Sequence, residues 1–268
     1  MTLQIFEEIK VWGANPFILY IIQPCMSYDK SAKYYDLFGE KPDIEYYKTL
    51  GLQSGTALEI GVGTARIALE LARAGVEVYG IDNSDEMLKI AHSKCATEPD
   101  SVQKRIVLEN QDMRDFHLSR TFPLVYVPSS GFSHCITTED QVTCLNCIYN
   151  HLDRKGLLVL DIDLPSSSYT NALKLIDKKE VDDTEVVRWI SNSPDYANQL
   201  LDIVLIFEVY RNQKLTERII ESSTVSLIYK RELLLLLDKA HFTVDNIYGD
   251  FQKSEEVTDL LIVEARKP

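Results

Sequence analysis

Leu58-Glu59-Ile60-Gly61-Val62-Gly63-Thr64-Ala65 is the stretch that decides how this chain folds. It stands between a short apolar run, Thr56–Ile60, and an amphipathic run over residues 64–74, whose apolar members are Ile67, Leu69, Leu71 and Ala72. The pattern predicts a strand, a glycine turn and a helix. Glycines at such a junction let the backbone turn sharply and come close to a ligand. Gly75 closes the helix, as a glycine just past a helix end does. Residues 77–81 read as a second strand. Asp82 follows at its end, about 20 positions after Gly61, where a carboxylate can accept from both hydroxyls of a ribose.

Working outward, the alternation continues. Ser84 is placed to cap a helix over residues 85–94, with acidic residues in its first turn and lysines late. Residues 105–108 and 124–127 read as strands three and four. Thr138 would cap a helix over 139–152, and 156–162 would be strand five. Short apolar strands separated by helices imply a parallel sheet covered on both faces. After Pro165 the rhythm changes. Residues 186–190, 199–210 and 216–229 read as strands with no helices between them, which predicts an antiparallel insert of three strands. A leucine-rich helix over 231–240 precedes two last strands, 242–248 and 258–265, joined as an antiparallel hairpin at the sheet edge. Upstream, residues 31–50 read as helix, turn and helix, with Pro42 near the start of the second. The expected class is α/β: a Rossmann-like, doubly wound, mostly parallel seven-stranded sheet with an antiparallel last strand, plus a small antiparallel β insert.

The totals narrow the partners. The chain has 268 residues, is 45% hydrophobic and carries a formal net charge of −13. Such an acidic surface repels phosphate backbones, so no nucleic-acid partner is expected. The densest basic run, Lys174 to Lys179, reads as a solvated helix face. No apolar run is long enough to span a membrane. Residues 17–22 are apolar and suit a core cover or a homodimer contact. The cysteines are odd in number, Cys25, Cys95, Cys135, Cys144 and Cys147, and no secretory signal precedes them, so reduced thiols in a cytoplasmic protein are expected. Cys144-Leu-Asn-Cys147 lacks the second ligand pair that a metal site needs. Packing cysteines and no metal are the expectation.

The glycine turn with an acid about 20 positions on also suits a dinucleotide. Three features separate the readings. Glu59, just before the Gly-x-Gly, suits a cationic amino group and would repel a pyrophosphate. Gln111-Asp112-Met113 follows strand three, where an Asp can accept from an adenine amine while the Met packs on the ring. The terminal hairpin makes the sheet mixed.

Taken in order, Leu58–Ala65, then Tyr79-Gly-Ile-Asp-Asn-Ser-Asp-Glu-Met-Leu88, then Asn110-Gln-Asp-Met-Arg-Asp-Phe116 resemble the successive motifs of class I S-adenosylmethionine (SAM)-dependent methyltransferases. The resemblance covers about residues 31–266. It is greatest to the small-molecule branch that includes the amino-sugar N-methyltransferases. Tyr34-Tyr35-Asp36, Ser130-Gly-Phe-Ser-His134 and the position of the antiparallel insert carry it. Three features depart from the family pattern: Ala65 in place of a glycine, His241 in place of the glycine before Phe242, and the extended N-terminus. The domain would run over 31–268 behind an extension of residues 1–30, with the insert at about 165–229 forming the acceptor side.

The resemblance implies roles. Gly61 and Gly63 would line the methionine portion of SAM, and Glu59 would orient it through its amino group. Asp82 would hold the ribose, with Asn83 and Met87 beside the adenosine. Asp112 and Met113 would hold the adenine, Ser129 would lie under the sulfonium, and Tyr35 would close over the methionine end. His134 would be a general base, its ordinary pKa near 6.5 suiting an ammonium or hydroxyl acceptor; a loop histidine that only hydrogen-bonds is the plainer reading. The acceptor would be a small molecule, methylated on nitrogen or oxygen. An NAD-dependent oxidoreductase and a non-catalytic SAM-binding regulator are the alternatives, with a protein or RNA methyltransferase as a third, the acidity counting against RNA. Of the adjacent Tyr34 and Tyr35, at most one can face the cofactor. Met87 also fits a helix core, Arg66 reads as a surface helix residue or, second, as a carboxylate partner, and Asp115 reads as a loop charge. Trp189, Tyr196, Phe207 and Tyr210 would divide between the acceptor pocket and the insert's own core.

Overall fold

The structure, a computed structural model, describes residues 28–38 and 42–268. The apolar run at 17–22, with the dimer contact expected of it, and Cys25 lie outside those residues. In chain order the elements are α1 (Ala32–Tyr35), α2 (Asp43–Ser54), β1 (Thr56–Ile60), α3 (Arg66–Arg73), β2 (Glu77–Asp82), α4 (Asp85–Ala96), α5 (Asp100–Gln103), β3 (Ile106–Asn110), β4 (Phe122–Val127), a 3₁₀ turn (Gly131–His134), α6 (Thr138–His151) and β5 (Leu152–Asp163). Then come β6 (Lys174–Val181), β7 (Thr184–Asp195), β8 (Leu200–Arg211), β9 (Lys214–Ser226), α7 (Lys230–Lys239), β10 (Thr243–Tyr248) and β11 (Leu260–Arg266).

The main sheet has the order β10-β11-β5-β4-β1-β2-β3. Strands β1 to β5 pair in parallel, and β11 runs antiparallel to both β5 and β10. This is the mixed doubly wound sheet that the alternation predicts. Side chains alternate across each strand. Leu58, Ile60, Val125, Val127, Leu158 and Leu160 pack with Leu145 and Ile148 of α6 and Leu233 and Leu237 of α7. Ala57, Leu124, Tyr126 and Val159 face the other way, against Tyr47 and Leu50 of α2 and Ile67, Ala68 and Leu71 of α3. That second face also buries three carboxylates: Glu59, Asp161 and Glu264. Each accepts from a tyrosine hydroxyl, from Tyr126, Tyr47 and Tyr46 respectively, so each buried acid has a partner.

The second sheet is an antiparallel meander, β6-β7-β8-β9. It has four strands where three were expected. The Lys174 to Lys179 run is its edge strand and not a helix face. The missed cue is the turn that follows it: Val181 pairs with Thr184 across Asp182 and Asp183, and Asp182 takes a left-handed φ of 55°, as Asp tolerates in a tight hairpin. Asn212-Gln213 closes β8 onto β9 in the same way, with φ of 48° and 62°. The inner face of this sheet holds Val186, Phe207, Val209 and Ile219 against Phe38, Tyr34 and Leu37. The residues around α1 therefore tie the two sheets together.

Helix boundaries shift slightly from expectation. Ser84 caps α4 as predicted, accepting from the Met87 N–H at 3.1 Å. Thr137, not Thr138, caps α6, in a capping box with Asp140. No described helix is long and apolar enough to cross a membrane.

Candidate active site

The strand order reverses between β1 and β4, and ligands bind such sheets in the crevice beyond the carboxyl ends of the strands there. The loops leaving β1, β2, β3 and β4 converge on that crevice. They line a cavity of about 150 Å³ whose wall includes Tyr35, Gly61, Gly63, Asp82, Asn83, Met87, Asp112, Met113, Ser129 and His134. Nine of the ten residues expected at a cofactor thus surround one cavity, together with the expected base.

The turn after β1 is built by its glycines. Gly61 and Gly63 have φ of 73° and 53°, and an added Cβ on either would face open space. The N–H groups of Gly61 and Val62 both donate to the Ile81 carbonyl at 2.9 Å. Asp82 ties this turn to the next helix: its carboxylate accepts from the Gly63 N–H at 2.8 Å and the Ser84 N–H at 2.9 Å. Burial raises its carboxyl above the ordinary range, and these two donors oppose the rise. Ala65, where the family pattern has glycine, takes a left-handed φ of 60° and is wholly buried.

Glu59 is the exception. It is 2% exposed and absent from the cavity wall. Its carboxylate points into the core and accepts from the Tyr126 hydroxyl at 2.9 Å. Strand alternation decides this: Glu59 pairs with Tyr126 across β1 and β4, on the face covered by α2 and α3. Burial pushes its carboxyl up to about 8, against the Tyr126 hydrogen bond. Glu59 thus stands behind the cavity wall and not in it.

Asp112 meets the cavity with its charge already engaged. Its oxygens accept from Arg114 Nε at 2.9 Å and Nη2 at 2.6 Å. Arg114 holds the Asp112 carboxyl below its ordinary range and also reaches Asp140 at 3.2 Å. Arg66 takes the second of its two readings. It is a half-buried carboxylate partner, gripping Asp43 with both terminal nitrogens and reaching Ser129 Oγ at 3.3 Å. Asp115 is an exposed loop charge, as expected.

The far wall is strained. Ser129 and Ser130 both have φ of 56°, a costly conformation for residues with a Cβ that tends to gather at functional sites. Asp161 anchors it, accepting from the Ser130 N–H at 3.1 Å, while Ser130 Oγ accepts from the Asp163 N–H at 2.8 Å. The 3₁₀ turn that follows carries His134 into the cavity wall. Burial alone lowers the imidazole below its ordinary pKa. Tyr28 stands edge-on to it, ring centroids 6.1 Å apart at 90°, and Tyr35 lies 6.1 Å from Tyr28. Tyr34 faces away, stacking on Phe207 and donating to Glu217, so one tyrosine of the pair faces the cavity, as geometry demands.

Sequence reasoning missed Tyr28, Gln111, Arg114 and Cys135 in this wall. Gln111 and Arg114 lie inside the third motif, so the motif itself was the available signal. Nothing around Tyr28 carries periodicity; only the fold brings it here. Of the aromatics considered for the acceptor side, Phe207 lines a second cavity. Trp189 and Tyr210 instead donate to Glu208, and Tyr196 donates to the Ser166 carbonyl. Tyr210-x-x-x-Lys214 has the spacing of a hydride-transfer pair, but it spans the β8–β9 hairpin and neither residue lines the first cavity.

A methyltransferase-domain family model matches residues 57–156. The "Putative methyltransferase YqeM" of Bacillus subtilis (strain 168) is 25% identical over 235 residues, covering 86% of this chain and 92% of that protein. Two solved structures share the fold. The CcbJ methyltransferase from Streptomyces caelestis superposes with a TM-score of 0.78 at 21% identity, over 89% of this chain and 96% of its own. SAM-bound CalS10, an amino pentose methyltransferase from Micromonospora echinaspora, superposes with a TM-score of 0.69 at 16% identity, over 90% and 98%.

Proposed function

We propose that this chain, a class I SAM-dependent methyltransferase, methylates a nitrogen or oxygen of a small molecule that enters from the side of the antiparallel sheet. The observation that carries the reading is the convergence of four strand-end loops on one cavity, with Asp82 on one wall and His134 on another.

The residues fit the cofactor. Two glycines leave room where a Cβ would stand, and an acid sits at the tip of β2 within reach of a ribose. Gly61 and Gly63 would lie along the methionine portion. Asp82 would accept from the ribose hydroxyls while holding the glycine turn and the start of α4 together. Asn83 and Met87 would flank the adenosine. Asp112 and Met113 would hold the adenine, with Arg114 fixing the Asp112 carboxylate. Ser129 and Tyr35 would flank the reacting end. Glu59 would act from behind, holding the glycine turn through β1 and Tyr126. When bound, SAM supplies an activated methyl group on a sulfonium.

With such a donor, orientation accounts for much of the acceleration, about 7–11 kcal/mol where reactants are fully aligned. A general base adds roughly 10²–10⁴-fold. His134 would supply that part: burial favours its neutral form, and a neutral imidazole can take the proton that an acceptor nitrogen or hydroxyl gives up. Nitrogen fits better, because the product cation would face the rings of Tyr28 and Tyr35.

Calorimetric titration with S-adenosylhomocysteine, beside NAD and NADP, tests the reading. Binding of S-adenosylhomocysteine alone, weakened by Asp82→Ala, is expected. Binding of a nicotinamide nucleotide in its place would sink it.

A further inference from the structure

A second cavity, of about 270 Å³, adjoins the first, and Tyr28 and Tyr35 line both. Its walls are chiefly apolar: Ile176, Ile190, Ile203, Leu205 and Phe207 project from β6, β7 and β8. The volume falls just below the usual 300–1,000 Å³ of pockets for drug-sized ligands.

Its arginine and its serine are already engaged. Arg188 donates to the Asp177 carboxylate from Nε at 3.2 Å and Nη2 at 3.1 Å, and its guanidinium lies 4.6 Å from the Phe38 ring centre. The Ser31 hydroxyl donates to Glu221, a carboxylate that also takes the N–H groups of Lys30 at 2.7 Å and Ser31 at 3.1 Å. Among the described residues lining the two cavities, the cations are Arg114 and Arg188, and each is paired with a carboxylate. Phosphate recognition calls for free guanidinium forks, lysines or a helix N-terminus. A diphosphate in the second cavity would meet aliphatic walls, with a buried carboxylate beside them, and would lose its hydration without replacement.

We infer that the acceptor is an amine with a compact apolar body and no phosphate. The body would lie against β7 and β8, and the nitrogen would reach past Tyr28 and Tyr35 towards His134. This rests on the methyl-transfer reading above and narrows it to a substrate class. Ile203 and Leu205 would then set which bodies fit, and the paired Arg188 would act as a polar rim and not as an anion receptor.

The test is calorimetric binding of four probes to the protein saturated with S-adenosylhomocysteine: cyclohexylamine, 2-phenylethylamine, glucosamine and a uridine diphosphate-linked amino sugar. The two apolar amines should bind roughly 10-fold or more tightly than the other two, a gap of about 1.4 kcal/mol. Ile203→Asp should weaken the apolar amines by a similar factor and leave S-adenosylhomocysteine binding unchanged, which also reports that the variant is folded. Tighter binding of the nucleotide-linked sugar would overturn the inference and leave the methyltransferase reading standing, as would failure of both apolar amines to bind. Failure of S-adenosylhomocysteine itself to bind would overturn both.

Discussion

In the proposed reading His134 would act as the base and Asp82 would hold the cofactor, and substitution separates those two parts. His134→Asn keeps a polar amide in the wall but removes the proposed base. Turnover should fall by roughly 10²–10⁴-fold, with S-adenosylhomocysteine affinity unchanged by calorimetry; unchanged turnover would reduce His134 to a loop residue. The acid limb of the kcat/KM profile carries the same information. Burial lowers the His134 pKa, so the neutral form persists to a lower pH than for an exposed histidine. Activity should therefore be lost only as pH falls below about 6.5, and the limb should vanish in the asparagine variant. Asp82→Ala should do more damage, because the same carboxylate holds the Gly63 and Ser84 N–H groups. Ala65 shows how far one residue's role depends on its surroundings. In the sequence it is a departure from a glycine pattern; in the fold it still takes the left-handed conformation that glycine would favour.

At the scale of elements, β2 shows how tightly the site is backed. A Cβ on Gly80 would lie 2.7 Å from Val62 Cγ2 and 2.9 Å from Leu108 Cδ2. Val62 sits between the two pocket glycines, so the clash would push on the turn itself. Gly80→Ala should cost about 1–3 kcal/mol of stability, read as a lower urea midpoint, and should weaken S-adenosylhomocysteine binding as well; a loss of stability alone would mean that the turn absorbs the shift. The elements were largely legible. Strands β1 and β2, the Ser84 cap, the leucine-rich α7 and the closing hairpin all follow from periodicity and punctuation. What misled was β6. Lys174-Leu-Ile-Asp-Lys-Lys has neither clean alternation nor a helical stripe, and it is a strand because β7 offers a partner edge. Local sequence cannot express that.

Across the whole molecule, the buried carboxylates set how stability responds to pH. Burial pushes Glu59 up to about 8 and Asp161 to about 7. Both folded values lie above the unfolded ones, so the folded state binds more protons between about pH 4 and 8. The contribution of these two groups to stability should be greatest near the lower end of that window and decline as pH rises through it. Glu59→Gln should flatten the decline, a change visible in urea midpoints at pH 5.5 and 8; an equal slope in the variant would mean that Glu59 does not carry it. The location of these acids beneath α2 also explains why Glu59 stands behind the cavity wall. The sequence puts it next to the glycine turn, but side-chain alternation turns it into the core.

The sequence by itself determined the fold class, the strand–helix alternation of the main sheet, the glycine turn and the carboxylate at the tip of β2, because those depend on local conformational preference and on the period of apolar residues. It also carried most of the cavity wall, since the motifs fall at the strand ends that a doubly wound sheet gathers on one side. Only the tertiary structure decided which way Glu59 faces, that Arg66 belongs to Asp43, that Tyr28 lines both cavities and that the second cavity is chiefly apolar with its arginine already paired. Those facts join residues far apart in the chain, and the free energy of a contact or a buried charge depends on what lies across the gap and not on its neighbours in sequence.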